Sequence, residues 1–481
     1  MKKFISFPFL FLVSFFIVAV FSTSTTFLYN EPCSGDSAIF QIIGKYWAEG
    51  RIPYVDVWDQ KGPFIFFVDA LGYLITSNQI GIFILQVLNI TAVAWILYLI
   101  CRIEFHEVPS LLLTTVVLLS FAPVCENTVE EWILIPLCWA YYRMLKWVNE
   151  VTITSHTVIH PVRYAFLYGI VFGLSLMTRL TNAVGICMAS FVIFMYLAKK
   201  GERKNIIGNS LSFIVGFLLT TTPFVFYFYA HNALYDMWYG TFIYNAEYAG
   251  RSGFSVFSLK GLANIILRFE NCYFLLFVAA IVLFLNNQRR FAGVLWFTMS
   301  LACMIWFLRS NGFGQYATIC LPFSCIAMIE LHKSYMLNKS QLAKWNYKGG
   351  ILAYTAVVII GAIYSLWLFN HMYRNNVALA EFRAFMKDVP VEYKQSLAAY
   401  NCPADWYLYE DIHPNCRYFT LQDYQSSMGG SLLEKVRQEF SNKTKWLLVK
   451  GQKTKIDDIL ERNYTIVKQN GNLTLYKYRA D

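Results

Sequence analysis

The sequence predicts an all-α polytopic membrane protein of about 11 transmembrane helices, followed by a small α/β domain. Three observations predict this fold class. Hydrophobic residues make up 57% of the 481 residues and charged residues only 15%, unlike a soluble globular domain. The apolar residues fall into runs of roughly 20, the length that crosses a bilayer as a helix. After residue 373 these runs stop, and charged and amide side chains spread through the remaining chain.

The first predicted span begins almost at the N-terminus. Met1-Lys2-Lys3 precedes an apolar run that continues to about Phe21. We interpret this run as a membrane helix rather than a signal peptide, because it is longer than the usual apolar region of ~7–15 residues. The predicted spans are 4–22, 80–101, 109–124, 131–148, 164–179, 182–198, 206–230, 259–286, 291–308, 315–332 and 349–370.

The charges between the spans predict the orientation of the chain. Lys and Arg concentrate in cytoplasmic loops. With the N-terminus in the cytoplasm, the basic clusters at 199–204, 289–290 and 333–348 all fall on that side, and the acidic residues collect on the exported side. The net charge of +10 is held in such short clusters, so we expect no nucleic-acid partner. The predicted location is the cell inner (plasma) membrane.

Residues 1–373 form the predicted transmembrane domain, and residues 374–481 a soluble extracytoplasmic domain. Residues 29–62 are the first exported loop. Residues 63–76 are apolar but too short to span with ease, and we interpret them as an interfacial helix; a short span here would invert everything downstream. In the second domain, strand-like runs occur at 406–409, 446–449, 464–467 and 473–478, and helix-like stretches near 376–387, 431–440 and 455–462. Cys402 and Cys416 could pair in an oxidising compartment.

The densest group of charges lies in the first exported loop. Residues 35–63 read GDSAIFQIIGKYWAEGRIPYVDVWDQKGP. Ionisable groups beside membrane helices are costly and mark functional sites. The charged residues of this stretch are the acids Asp36, Glu49, Asp56 and Asp59 and the cations Lys45, Arg51 and Lys61. We therefore expect the chemistry of the protein in this loop.

A transferase on the exported side has no nucleotide-activated donor, so an activated sugar must arrive tethered to a lipid, as in a polyprenyl-phosphate sugar. Displacing the lipid phosphate requires a base for the attacking hydroxyl and cations or other donors at the leaving phosphate. Asp36, soon after the first helix, is the predicted base. The cations predicted near the outer ends of helices, where they would bind the donor phosphate, are Lys61, Arg179, Arg268 and Arg309.

The same loop resembles a known family. Gly35-Asp36-Ser37 and the run GRIPYVDVWDQKGP at 50–63 resemble the first exported loop of GT-C superfamily glycosyltransferases, of the protein O-mannosyltransferase and aminoarabinose transferase types. In that family an acidic residue soon after the first helix is catalytic, and a Lys-Pro-Pro or Lys-Gly-Pro turn follows, to which Lys61-Gly62-Pro63 corresponds. Residues 309–316, RSNGFGQY, with Pro322 after them, are similar to the family's turn and the helix that faces the donor.

The resemblance implies a GT-C-like fold and a set of residues that support the site. These are Tyr54, Asp56, Asp59, Gly62, Pro63, Gln315 and Tyr316. Many relatives have Asp-Glu at the catalytic position, whereas this chain has Asp36-Ser37, so a divalent cation as cofactor is left open. Many relatives also have a His just before the Tyr of the later motif. Here it is Gln315, which cannot take up a proton but can hydrogen-bond a phosphate or sugar.

Each of these residues also has a purely structural interpretation. Asp36 could be the N-cap of a helix that starts at Ser37. Lys61 and Arg309 could extend to the lipid headgroups without binding substrate. Arg179 and Arg268 could be topological signals or members of ion pairs. Asp56 and Asp59 could solvate the loop or pair with Lys61, with Asp59 the better candidate for a second functional acid.

Together these features predict a glycosyltransferase that moves a hexosyl or pentosyl group from a polyprenyl-phosphate donor to a glycan, lipid or protein acceptor on the exported face. The alternatives are a transporter or flippase of lipid-linked glycans, or a polymerase or ligase of surface polysaccharide. A transporter would need charged or broken helices near the bilayer midplane and often an internal repeat. Neither is visible in the sequence. A polymerase or ligase would need acceptor contacts that the sequence does not mark.

Overall fold

A computed structural model of the chain describes residues 6–29, 35–153, 158–251, 271–285, 289–310, 313–337, 363, 367, 378–441 and 444–479. Packing divides the chain into two compact units. The first unit comprises Met1–Ser22, Ile84–Pro223 and Phe254–His371, and the second comprises Thr23–Phe83, Phe224–Gly253 and Met372–Asp481. Two segments of the predicted transmembrane domain, Thr23–Phe83 and Phe224–Gly253, are grouped with the C-terminal residues. The domain boundary between residues 373 and 374 stays a prediction.

Helices form most of the described chain. The first four are α1 (Ser6–Phe21), α2 (Gly35–Ala48), α3 (Pro63–Thr76) and α4 (Ile80–Cys101). The longer helices that follow are Glu107–Phe121, Leu134–Ile153, Val162–Leu176, Val184–Lys199, Arg203–Ala230, Asn271–Leu285, Arg290–Arg309 and Leu321–Leu337. Short 3-10 turns precede three of them, at Glu131–Ile133, Leu180–Ala183 and Gly314–Cys320.

Six helical segments within the described ranges have the length and apolar composition needed to cross a bilayer. They are Ile80–Cys101, Glu107–Val124, Leu180–Lys199, Arg203–Ala230, Arg290–Arg309 and Gly314–Met336. Shorter apolar helices occur at Ser6–Phe21, Pro63–Thr76, Val162–Leu176 and Leu275–Phe284. The span predicted at 349–370 lies outside the described residues, apart from positions 363 and 367. The chain is thus polytopic, but the prediction of 11 spans is not confirmed.

A buried ion pair holds the end of the first unit's helical bundle. Arg289 is 4% exposed and Glu330 is fully buried; the Arg289 Nη2 and Glu330 Oε2 atoms are 2.5 Å apart. The other carboxylate oxygen of Glu330 accepts a hydrogen bond from Trp296 Nε1 at 3.2 Å. A buried charge is tolerated when it is paired and its remaining hydrogen-bonding positions are filled. This network therefore fixes Leu321–Leu337 against the helix Arg290–Arg309.

The C-terminal part of the second unit contains a four-stranded sheet. Its strands are β1 (Ala398–Tyr400), β2 (Trp446–Lys450), β3 (Tyr464–Asn470) and β4 (Leu473–Tyr478), in the order β1-β2-β4-β3. Strands β1 and β2 are parallel, and the other two pairings are antiparallel. The strands predicted at 446–449, 464–467 and 473–478 are confirmed, and the predicted helices correspond to Ala378–Met386, Leu432–Ser441 and Asp457–Asn463.

One prediction for this domain is wrong. Residues 406–409 belong to the short helix Asp405–Tyr409 and not to a strand, because a first-turn acid favours helix formation and the helix buries Trp406 and Tyr407. Strand β1, and not residues 406–409, is the fourth strand of the sheet. Cys402 and Cys416 are free thiols, and each directs its S–H group at a backbone carbonyl.

Aromatic side chains between residues 235 and 244 pack within the second unit. Tyr244 is fully buried, and its hydroxyl donates to the carbonyl of Gln425 at 2.9 Å. Tyr239 Oη lies 2.8 Å from Ser431 Oγ. Trp238 and Tyr235 are exposed, at 52% and 67%. These side chains therefore divide between a buried face against the C-terminal domain and an exposed face.

Close packing between α2 and α3 fixes the helix that carries the candidate base. At Gly44 an added Cβ would lie 2.5 Å from Asp69 Cβ and 2.8 Å from the backbone nitrogen of Ala70. Real Cβ atoms do not approach so closely, so any larger residue must separate the two helices. This approach therefore requires a glycine at position 44, despite the low helix propensity of that residue.

We expect Gly44→Ala to destabilise the protein and to lower transfer activity. Alanine gains about 1 kcal/mol of helix propensity, but overpacking against the backbone costs roughly 1–3 kcal/mol, so the net change is a lower unfolding midpoint. Gly250→Ala is the matched control: an added Cβ there meets nothing within 4 Å in the helix Tyr244–Arg251. Thermal unfolding of both variants in detergent measures the difference, and equal midpoints would contradict the packing argument.

Candidate functional site

Asp36 is exposed in the first turn of α2. The helix begins at Gly35, so Asp36 lies inside the first turn and is not the N-cap of a helix that starts at Ser37. A carboxylate in this position is favoured by the positive end of the helix macrodipole. Because its side chain is exposed, Asp36 is accessible to a substrate.

The remainder of the loop, residues 49–62, folds as a series of tight turns around Tyr54. Gly50 (φ +89°) and Tyr54 (φ +69°) adopt left-handed backbone conformations, which glycine tolerates and tyrosine does not adopt without support. The support is visible: Tyr54 is fully buried, its N–H donates to the Val57 carbonyl at 2.7 Å, and its hydroxyl donates to the Lys61 carbonyl at 2.6 Å. Tyr54 thus holds the two ends of the turn together.

Asp56 closes one of these turns. Its Oδ2 atom accepts a hydrogen bond from the Ile52 N–H at 2.6 Å, and its own N–H donates to the Ile52 carbonyl at 3.0 Å. Asp56 is exposed. These two hydrogen bonds to Ile52 stabilise the turn and so explain why an aspartate occurs at position 56.

Asp59 and Lys61 form an ion pair within the loop. Asp59 is 2% exposed, its Oδ1 accepts from the Lys61 N–H at 3.0 Å, and Lys61 Nζ lies 3.9 Å from the same oxygen. Burial raises the pKa of Asp59, Lys61 lowers it, and the charge of Asp36 raises it further. Asp36 and Asp59 are therefore within electrostatic range of each other. The Lys61 ammonium also lies 5.7 Å from the centre of the Phe40 ring of α2.

Neighbouring segments of the second unit hold the turn in place. The Trp58 N–H donates to the Arg417 carbonyl at 2.9 Å, and Asn245 Nδ2 donates to the Gln60 carbonyl at 2.7 Å. At Gly240 an added Cβ would lie 2.9 Å from the Tyr54 ring. Gly62 and Pro63 then begin α3, with Pro63 at a position where a missing N–H costs nothing.

One carboxylate near Asp36 is absent from the predicted site. Asp405 begins the short helix Asp405–Tyr409, which packs against α2, and its Oδ1 atom is buried without a hydrogen-bond partner. Burial and the charge of Asp36 raise the pKa of Asp405 to about 7. The second unit thus brings Asp59 and Asp405 each within electrostatic range of Asp36. Only the local sequence Pro403-Ala404-Asp405, a helix-start pattern, could have indicated this residue.

The later predicted residues belong to the first unit, where two of them meet. Arg179 Nη1 donates to Glu130 Oε1 at 3.0 Å, and the guanidinium carbon lies 3.4 Å from the centre of the Tyr316 ring. This is a partly buried cation held by one carboxylate and one aromatic face. Arg179 therefore has the ion pair that the structural interpretation anticipates, and its contact with Tyr316 links it to the RSNGFGQY motif.

The other predicted cations are placed as follows. Arg309 is the last residue of the helix Arg290–Arg309 and is exposed, and Gln315 lies in the 3-10 turn Gly314–Cys320. Arg268 lies outside the described residues. Across the parts of the chain that the structure describes, no group of three or more His, Cys, Asp or Glu side chains is arranged to hold a metal ion.

Solved structures share this fold. No model of a protein family matches the chain, and no curated protein matches it in sequence. The structure of ArnT from Cupriavidus metallidurans bound to undecaprenyl phosphate matches with a TM-score of 0.59 at 14% sequence identity, over 98% of this chain and 97% of that chain. The apo oligosaccharyltransferase of Archaeoglobus fulgidus matches with a TM-score of 0.52 at 14% identity, over 96% of this chain and 69% of that chain.

What these matches share with the chain is the fold. The GT-C-like fold that the first exported loop implies is therefore confirmed, and it extends along nearly the whole chain.

Proposed function

We propose that this protein transfers a sugar from a polyprenyl-phosphate donor to an acceptor on the exported face of the membrane, with Asp36 as the general base. The observation that carries the proposal is the position of Asp36: an exposed carboxylate in the first turn of α2, with the Lys61 turn in the same compact unit. The fold shared with ArnT, whose structure contains undecaprenyl phosphate, supports the choice of a lipid-linked donor.

The chemistry requires little of the protein beyond positioning and charge. The acceptor hydroxyl loses its proton to the Asp36 carboxylate as its oxygen forms a bond with the anomeric carbon of the sugar. The bond between that carbon and the phosphate oxygen breaks, and polyprenyl phosphate leaves with the electron pair. Attack on the face opposite the phosphate inverts the anomeric configuration. Cationic side chains stabilise the charge that grows on the leaving phosphate.

The experiment that tests this function is a transfer assay with the purified full-length chain in detergent or liposomes. A panel of polyprenyl-phosphate sugars, each labelled in the sugar, is offered together with glycan, lipid and peptide acceptors. Release of polyprenyl phosphate that depends on the acceptor would establish transfer. Movement of the labelled lipid across the bilayer without cleavage would instead favour the flippase alternative.

We expect Lys61→Ala and Arg309→Ala to weaken use of the donor. A cation that contacts the leaving phosphate stabilises it through a charge-assisted hydrogen bond worth about 1.5–3 kcal/mol, so donor kcat/KM should fall about 10–100-fold in each variant. The KM for the acceptor should stay nearly constant. Lys200→Ala, an exposed cation on the predicted cytoplasmic side, is the control and should behave as wild type. Equal losses for donor and acceptor would contradict the phosphate role.

A further inference from the structure

A polar cavity of about 370 Å³ lies within the second unit, beside α2. This volume is near the small end of the ~300–1,000 Å³ typical of ligand pockets. Its walls come from five segments: the turn after α1, α2 itself, α3, the turn between α3 and α4, and residues 408–411. The lining includes neither Asp36 nor the Asp59 and Lys61 turn. The cavity is therefore separate from the groups assigned to the chemistry.

The wall from α2 is a stripe of polar side chains with helical spacing. Ser37, Gln41 and Lys45 recur every four residues, which places them on one face of α2, and the last two line the cavity. Gln41 is 1% exposed, and its Nε2 atom donates to the Ser24 carbonyl and to Ser37 Oγ, both at 3.1 Å. These bonds fix the orientation of the amide. Gln41 Oε1 is then the atom that this side chain can offer as an acceptor.

The other walls add hydroxyl groups, amides and aromatic rings. Thr23 and Thr26 come from the turn after α1, Gln79 from the turn before α4, and Tyr73 and Tyr409 contribute rings. Hydroxyls and amides both donate and accept hydrogen bonds. Aromatic faces pack against flat apolar surfaces. Such a lining suits a ligand that has several hydroxyl groups and an apolar ring face.

The charge of the cavity favours a neutral ligand over an anion. Lys45 Nζ lies 2.5 Å from Asp411 Oδ1, and this hydrogen bond holds the pKa of Asp411 below its usual value. The pair is the charged part of the lining, so its net charge is zero. A phosphate would have to compete with Asp411 for Lys45 and would be repelled by the Asp411 carboxylate. A neutral ligand meets neither obstacle.

We propose that this cavity binds a neutral sugar ring of the acceptor, an inference that rests on the proposed function. A sugar ring has the several hydroxyls and the apolar face that the lining matches. Gln41 follows Asp36 by five residues on α2, which is about 7.5 Å along the helix axis and about 140° around it. An extended acceptor with one ring held at Gln41 can therefore reach around the first turn of α2 to the base. The acceptor is accordingly a glycan or a glycosylated molecule.

Binding tests this proposal without any transfer reaction. The full-length protein in detergent is titrated with the methyl glycosides of glucose, galactose and mannose, and with inorganic phosphate, by saturation-transfer NMR. We expect at least one glycoside to bind and phosphate not to bind. Gln79→Trp places a large ring at the exposed side of the cavity and should weaken glycoside binding about tenfold or more. Gln469→Trp, the same change at an exposed position of β3, should leave binding unchanged.

A charge variant separates a sugar from an anion as the ligand. Asp411→Asn leaves Lys45 without its partner carboxylate, so phosphate binding should appear in this variant while glycoside binding persists. Phosphate binding to the wild type that Gln79→Trp removes would overturn the proposal and indicate an anion site. Absence of binding by all three glycosides would also overturn it.

The transfer assay distinguishes this inference from the proposed function. Gln79→Trp should raise the KM for a glycan acceptor about tenfold and leave the KM for the donor unchanged. Glycoside binding that Gln79→Trp weakens, in a protein with no transfer activity, would support the sugar cavity while rejecting the proposed function. Transfer with an unaltered acceptor KM in Gln79→Trp would reject the cavity while retaining the function.

Discussion

Replacing Asp36 with asparagine is expected to abolish sugar transfer while the protein stays folded. Asparagine has nearly the same size but cannot take the proton of the acceptor hydroxyl, and general-base catalysis contributes about 10²–10⁴-fold in rate. Asp36 is exposed in the first turn of α2, so the substitution removes no buried contact. We expect kcat to fall about 10³-fold with a nearly unchanged unfolding midpoint. Wild-type turnover would remove Asp36 from the mechanism.

A second carboxylate of the same loop provides the matched comparison. Asp56 is exposed like Asp36 but accepts a hydrogen bond from the Ile52 N–H at 2.6 Å. Asparagine at this position keeps an acceptor oxygen for that bond, so Asp56→Asn should lose less than about tenfold in kcat. Equal losses in the two variants would assign the effect to the negative charge of the loop as a whole. A large loss confined to Asp36→Asn is the result that identifies a base.

The predictable parts of this fold are those that local chemistry determines. The helix predicted at 63–76 is observed as Pro63–Thr76, because Pro63 suits the first turn of a helix and Ser77, with φ of +59°, ends it. Strands β2, β3 and β4 were also predictable from their apolar and aromatic runs. In each case neighbouring residues alone specify the element.

The parts that sequence did not reveal depend on contacts between distant segments. Asp405 becomes part of the candidate site only because its short helix packs against α2, more than 350 residues earlier in the chain. The residues that follow it, Trp406 to Tyr409, have a composition that favours a strand, and tertiary burial overrides that preference. The four-residue spacing of Gln41 and Lys45 places them on one face of α2, but nothing in that spacing identifies Asp411 as the partner of Lys45. Long-range packing is what turns such residues into a site.

Replacing Asp405 with asparagine is expected to stabilise the protein at neutral and alkaline pH. Burial and the charge of Asp36 raise the pKa of Asp405 to about 7, and its Oδ1 atom is buried without a hydrogen-bond partner. A carboxyl group with a raised pKa favours the folded state most at low pH. That contribution is lost as the pH rises from about 4, the ordinary value for Asp, to about 7. Asparagine is neutral at every pH, so the variant does not lose this contribution to stability.

The size of the effect follows from proton linkage. A shift from about 4 to about 7 corresponds to up to about 4 kcal/mol at pH 8 and to almost nothing near pH 4. Unfolding of the wild type and Asp405→Asn in detergent, followed from pH 4 to pH 8, should therefore show midpoints that separate progressively as the pH rises. Glu392→Gln, which neutralises an exposed acid of the same domain, is the control and should run parallel to the wild type. Parallel curves for Asp405→Asn would contradict the burial of its charge.

The two carboxylates should also influence each other, and this can be measured without substrate. The charge of Asp36 is one of the causes that raise the pKa of Asp405, second to burial. In an Asp36→Asn background, the pH range over which Asp405 destabilises the fold should therefore still begin near the ordinary pKa of Asp but end at a lower pH. Interacting groups titrate as a pair, so a double-mutant cycle across the pH range isolates the interaction between them. If the cycle shows no coupling at any pH, Asp405 lies outside electrostatic range of the base. Coupling confined to neutral pH would show that the C-terminal domain adjusts the charge around Asp36.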